Sequence, residues 1–253
     1  MTKAKWTMAM GAVLLWAGTV SAAPTPQQKC DGARIMAWRK YVACVEKNVA
    51  KDAQGIFPED PTMLNEACAK CRHTYFKRWN ALQGPAYAGS TCIGSRFTDN
   101  GDGTVKDELS GLTWEKKVSL DAVPSVDPHD ADNLYTWSTA EPDENGSAFT
   151  SFLNALNSGG FGGANGWRLP TLVELQTIEL DYPCTAASCT CPSTPCIDPA
   201  LDAGNTLQGF YWSATTKAAQ PEFAWFVDFN DGDFYRDHKE LGNNLVRAVR
   251  GGL

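Results

Sequence analysis

Nine cysteines set the strongest limit on what this chain can fold into, because they fall in two groups rather than at random. Cys30, Cys44, Cys68, Cys71 and Cys92 lie near the start, and Cys184, Cys189, Cys191 and Cys196 share one short stretch. Whether such a set reads as disulfides, metal ligands or reactive thiols depends on the compartment. The N-terminus supplies that information. Lys3 and Lys5 precede an apolar run at 6–17, and Val20-Ser21-Ala22 has the small residues of a cleavage site, the layout of a secretory signal peptide. The run is short for a bilayer, which takes about 20 apolar residues, and no Cys follows the cut to carry a lipid. Residues 1–22 are therefore expected to be a signal peptide. The remainder is expected to be exported to the periplasm, the cell surface or the medium, with no membrane span and with its cysteines in disulfides. An odd count leaves one thiol over.

Residues 23–92 read as a helical hairpin. Ile35, Trp38, Val42, Val45 and Val49 recur at spacings of three and four, and so do Leu64, Cys68, Cys71, Tyr75 and Leu82 behind Asp60-Pro61, a capped helix start. Antiparallel packing sets Cys44 opposite Cys71 or Cys68. The expected bonds are Cys44–Cys71 and Cys30–Cys92, with Cys68 as the free thiol. Cys68 and Cys71 also form a CxxC, whose redox reading needs a thioredoxin-like strand and helix that the pattern does not offer.

From residue 93 the pattern changes to short strands and Gly/Asn/Asp turns, the grammar of an antiparallel α+β domain. Strands are expected within 97–114, closed by Asn100-Gly101-Asp102-Gly103. Gly101 and Gly103 occupy positions where a calcium loop needs oxygen ligands, which makes this a plain turn. Residues 119–144 show no periodicity and read as a surface loop carrying Tyr135 and Trp137. Phe149, Phe152, Leu153 and Leu156 mark a helix, and Thr171 with Glu174 forms a capping box for another. The second cysteine group, spaced C-x4-C-x-C-x4-C, reads as two local disulfides among Cys184, Cys189, Cys191 and Cys196 rather than zinc ligands.

Phe223, Trp225, Val227 and Phe229 alternate with Ala224, Phe226, Asp228 and Asn230 before Asp231-Gly232, a hairpin signal. A two-residue turn there pairs Phe229 with Phe234, Asp228 with Tyr235 and Asn230 with Asp233. One face would be core and the other would display Asp228, Asn230, Asp233, Tyr235 and Asp237, the candidate ligand-binding residues. A closing strand is expected at 245–250. No metal or cofactor is called for. Calcium is the one candidate, through Gln220-Pro221-Glu222 and Asn230-Asp231, which resemble lectin ligand motifs in form.

Charge narrows the partners. Residues 24–92 hold ten Lys/Arg against six Asp/Glu, a balance of +4, whereas 93–253 hold ten against twenty-three, a balance of −13. An acidic domain repels nucleic acid and sulfated polysaccharide and suits neutral or cationic ligands.

Six stretches, RFTDNGDGTVKDELSGLTWEK (96–116), NGWRLPTLVEL (165–175), IDPAL (197–201), FYWSATT (210–216), AWFVDFNDG (224–232) and LVRAVRGG (245–252), together resemble the Lcl C-terminal domain family. The resemblance implies that residues 93–253 form a C-type-lectin-like domain of two helices, a small antiparallel sheet and long loops, following the disulfide-pinned hairpin. It also implies binding through the C-terminal hairpins and loops, in the manner of adhesins that hold host glycans. The expected function is an exported module that binds a glycan or a surface protein and is not an enzyme. An oxidase related to formylglycine-generating enzymes would need a reactive Cys pair in a cleft. A structural envelope protein would use the basic hairpin, with Arg34, Arg39, Lys40, Arg72, Lys77 and Arg78, to dock on the acidic domain or on anionic polymers.

Overall fold

The computed structural model describes residues 23–57, 61–83, 94–118, 121, 123–140, 143–180, 195–201 and 205–252. The expected signal peptide, Cys92, Cys184, Cys189 and Cys191 lie outside them. No helix among the described residues is long and apolar enough to cross a membrane.

Helix α1 (Pro26–Ala53) starts at a capping box in which Thr25 accepts from the Gln28 amide and the Gln28 side chain accepts from Thr25. Helix α2 (Thr62–Gln83) runs back against it, and Cys44 is bonded to Cys71 across the pair. Among the described residues Cys68 is a free thiol, in line with the expected pairing. Cys30 and Cys196 are also in disulfides.

The domain that follows is mixed helix and sheet. Its strands are β1 (Phe97–Asp99), β2 (Thr104–Asp107), β3 (Leu112–Glu115), β4 (Tyr135–Thr136), β5 (Phe210–Thr216), β6 (Phe223–Asp228), β7 (Phe234–His238), β8 (Asn243–Asn244) and β9 (Val249–Gly251). They form antiparallel sheets ordered β1-β2-β3-β9, β4-β8 and β5-β6-β7. The turn at 99–103 is the plain hairpin that its glycines imply: Asp102 accepts from the Thr104 amide and Asp99 from the Gly101 amide. A π-helical turn (Ala148–Leu153) leads into α3 (Asn154–Ser158), and the Thr171/Glu174 capping box starts α4 (Leu172–Gln176). The closing strand is shorter than 245–250, because Leu245 makes only a single bridge to Tyr211 before β9 pairs with β3.

The segment read as a surface loop is exposed at 123–127 and 139–140 but built in at 130–132 and 135–138. Tyr135 and Trp137 are buried, and the indole N–H groups of Trp137 and Trp212 donate to the carbonyls of Ser213 and Tyr135. Ahead of them, Asp130, Ala131 and Asp132 are buried too. The buried part carries no periodicity because a charged cluster holds 128–132, while Tyr135 and Trp137 enter an apolar core. Glu115 lies within 3.0 Å of Lys117 and 2.9 Å of His129, and it accepts from the Ala248 amide. Burial pushes the Glu115 carboxyl up, but Lys117 and His129 outweigh it and hold the group below its usual range.

Sheet β5-β6-β7 is the centre of the molecule. Trp225, Val227, Phe234 and Tyr211 face a core shared with Trp38, Tyr41 and Leu64 of the hairpin. On its other side, Trp212, Ala224 and Phe226 join Trp137, Phe152 and Leu156. Both faces are covered along 224–227, so the expected division into one core face and one displayed face fails there, and Asp228 is only 7% exposed.

Polar bonds fix the hairpin to the domain. Arg72 pairs with buried Glu179, Tyr41 donates to the Gln176 carbonyl at 3.0 Å, and Lys217 lies 3.6 Å from Asp52. Arg96 reaches Asp107 and the Thr177 carbonyl while its guanidinium stacks 4.4 Å from the Trp38 ring. Asn65 of α2 bonds both backbone groups of Phe234, donating to its carbonyl at 3.0 Å and accepting from its amide at 3.1 Å. It thereby occupies part of the outer edge of β7, where an open strand invites pairing with another chain. One sequence-level docking idea, basic hairpin onto acidic domain, is met at Arg72, whereas Arg39, Lys40, Lys77 and Arg78 stay exposed.

Candidate functional site

The hairpin of β6 and β7 has a different turn from the one expected. Val227 pairs with Phe234 and Phe226 with Tyr235, and Asp228 donates its amide to the Asp233 carbonyl at 2.8 Å. The register is two residues away from the two-residue turn, leaving 229–232 as the loop. A shift of two keeps every side chain on its expected face. The cause is Phe229, which turns inward instead of extending the strand: it is buried, its ring packs tilted against Tyr211 at 4.8 Å, and its carbonyl accepts from the Cys196 amide at 2.7 Å. Gly232 closes the loop at φ 79°, a conformation that costs glycine little.

Beside that plug the sheet face reaches solvent at Phe210, while Phe226 and Asp228 stay buried. Phe210 at the start of β5 pairs with Asp228, so the two share a face with Phe226 and Tyr235. Phe210 is 45% exposed, its ring lies 4.7 Å from Phe226, and Phe226 lies 5.9 Å from Tyr235. The three rings form a row across the three strands. Asp228 and Asp233 flank it. One oxygen of Asp228 accepts from the Asn230 amide, and one of Asp231 from the Asp233 amide, each at 2.9 Å. Burial raises the carboxyls of Asp228 and Asp233, and Asp231 raises both further; Asp233 reaches about 6.

Of the five residues singled out from sequence, Asp228, Asn230 and Asp233 gather at this tip and Tyr235 adjoins it. Asp237 does not. It sits four residues beyond Asp233, about 13 Å along a strand, where it accepts from the His238 amide at 2.8 Å and lies 3.4 Å from the Asn244 side-chain amide. Asp228 belongs to the group but is buried rather than displayed. Phe210 was not among the five; its signal is its place opposite Asp228, which only the pairing shows. Glu222 and Asn230 lie at opposite ends of β6, about 20 Å apart at strand rise. They cannot share one calcium ion.

A second concavity, of about 680 Å³, follows the seam between α1 and the domain, where Trp38, Arg39 and Val42 face Leu112, Arg168 and Glu174. Arg168 and Glu174 form a two-pronged pair at 2.6 and 2.7 Å. Four segments, from 38–46, 110–112, 168–177 and 251–252, build this cleft, so no local pattern announces it.

These features define an α+β domain with a disulfide-pinned helical hairpin strapped over one sheet face and, at the edge of the other, an exposed Phe210 beside half-buried Tyr235 and Asp233. The model of the Lcl C-terminal domain family matches residues 103–250, and the chain belongs to that family. No curated protein and no solved structure matches the chain significantly.

Proposed function

We propose that this chain is an exported binding module with a C-type-lectin-like core, and that it holds a glycan or the surface of another protein against the Phe210, Phe226 and Tyr235 row. The observation that carries this reading is the exposed Phe210 ring, continuous with Tyr235 through Phe226 and bordered by Asp228 and Asp233. A ring face takes the C–H side of a sugar or an apolar side chain, while carboxylates and the Asn230 amide bond hydroxyls or cationic groups. The acidic balance of the domain favours a neutral or basic partner over a sulfated one. Export is supported by the N-terminal residues and by the disulfides. Against an oxidase, Cys44 and Cys71 are already joined, and burial pushes the Cys68 thiol up to about 12, far from a nucleophile's range.

The test is a glycan array and a pull-down from surface extracts with the purified chain, with and without calcium. Phe210→Ala combined with Tyr235→Ala should lower binding at least tenfold, with the melting temperature close to the parent's. Retention of binding in that folded variant, together with its loss in Arg39→Ala/Arg168→Ala, would move the ligand to the α1 cleft. Turnover of a cysteine-containing sulfatase peptide, abolished by alkylation, would replace the binding reading with the enzyme reading.

A further inference from the structure

The bond between Cys44 and Cys71 borders open space. A cavity of about 310 Å³ on the outer side of the hairpin is lined by both cysteines and by Lys40, Tyr41, Tyr75 and Arg78. Its two sulfurs are unequal. Cys44 is half-buried, whereas Cys71 is 4% exposed and its sulfur accepts the Asn48 side-chain N–H at 3.4 Å. Lys40 stands one turn before Cys44 on α1, and Arg78 two turns beyond Cys71 on α2, spacings that keep each on the face of its cysteine. Both cations are exposed, and among the described residues no carboxylate lines the cavity.

We propose that Cys44–Cys71 is an exchange site for small anionic thiols, which become attached at Cys44. The incoming thiolate attacks the Cys44 sulfur and forms a new S–S bond there. The Cys44–Cys71 bond breaks, and its electron pair leaves on the Cys71 sulfur, which Asn48 already hydrogen-bonds and which then takes a proton from water. One disulfide replaces another, and no external oxidant or reductant is consumed. Lys40 and Arg78 raise the local concentration of a thiol that carries a carboxylate or sulfonate. Cys68 is buried and does not compete; the released Cys71 thiol can re-attack and close the original bond, so the adduct at Cys44 is captured by acid quenching before it recloses.

The test incubates the purified, folded chain at low salt with 2-mercaptoethanesulfonate or 2-mercaptoethanol at equal thiolate concentration. Adducts are read by intact mass after acid quenching and mapped by digestion. Two cations at about 8 Å in a water-like dielectric favour the anionic thiol about fivefold over the neutral one. The adduct should map to Cys44, with Cys71 recovered as a free thiol. Lys40→Gln with Arg78→Gln should bring the two rates together, and so should about 1 M salt on the unaltered chain, where screening acts within about 3 Å. Equal rates at low salt, an adduct on Cys71, or reaction only once the chain unfolds would each overturn the proposal.

Discussion

Replacing Asn65 with Ala removes the one side chain that satisfies both backbone groups of Phe234 on the outer edge of β7. Asn65 is 5% exposed and Phe234 1%, so neither orphaned group gains water freely. A buried donor or acceptor left without a partner costs about 1–3 kcal/mol, which for the two groups puts the change at about 2–6 kcal/mol. A water drawn into the vacated space would keep it near the lower end. For a chain of this length each kcal/mol moves the melting temperature by about 2–4 °C, so a drop on the order of 10 °C is expected. Urea unfolding followed by tryptophan fluorescence and by far-ultraviolet circular dichroism measures it, with Trp38 in the hairpin and Trp225 in the sheet placed on the two sides of the contact. The two probes should report one transition, displaced as a whole. A loss below about 0.5 kcal/mol, the usual scale for an uninvolved surface position, would refute the reasoning. So would two separate transitions, because hairpin and domain would then not share a core. Asn65→Asp keeps the acceptor but sets a carboxylate against the Phe234 carbonyl, and should cost at least as much at neutral pH.

Asp233 makes stability rise on mild acidification. Its carboxyl titrates at about 6 in the folded chain against 3.8 unfolded, so the folded state takes up the proton first, and the destabilisation present at pH 7 is removed as pH falls through 6. The urea midpoint should be higher at pH 5 than at pH 7 on this account, with the gain abolished in Asp233→Asn; an unchanged pH dependence in that variant would contradict the assignment. Glu115 has the opposite sign: held below 4.5 when folded, it contributes stability above that value that is lost as pH falls through its folded pKa. Glu115→Gln leaves the buried Lys117 charge without its partner and should cost about 3–5 kcal/mol by urea titration at pH 7; a loss under about 1 kcal/mol would show that the cluster is not a unit.

The structure borders the candidate site with features of two kinds, and only one of them is readable in a string of residues. Spacings of three and four mark the two long helices, and their antiparallel geometry sets Cys44 opposite Cys71 or Cys68, between which the structure chooses Cys71. Thr171 and Glu174 declare a helix start within four residues, and Asn100 to Gly103 declares a turn. Each rests on contacts between near neighbours, where a side chain and the backbone it bonds are joined by a short piece of chain. Alternation along 223–229 also assigned each side chain its face correctly, since a register shift of two residues preserves parity.

That shift itself lay beyond the pattern, because Phe229 leaves the strand to pack against Tyr211 and to be held by Cys196, residues 18 and 33 positions away along the chain. The covering of the second sheet face by Trp137 and Phe152, the binding of 128–132 by the Glu115 cluster, and the seating of Asn65 on β7 are likewise contacts across long sequence separations. Burial of Asp228 and exposure of Phe210 follow from those contacts and not from the hydropathy of either residue. Local sequence determined which segments are helices and strands and which side each residue faces. Tertiary structure alone decided which faces are covered, since burial depends on what distant segment arrives to cover them.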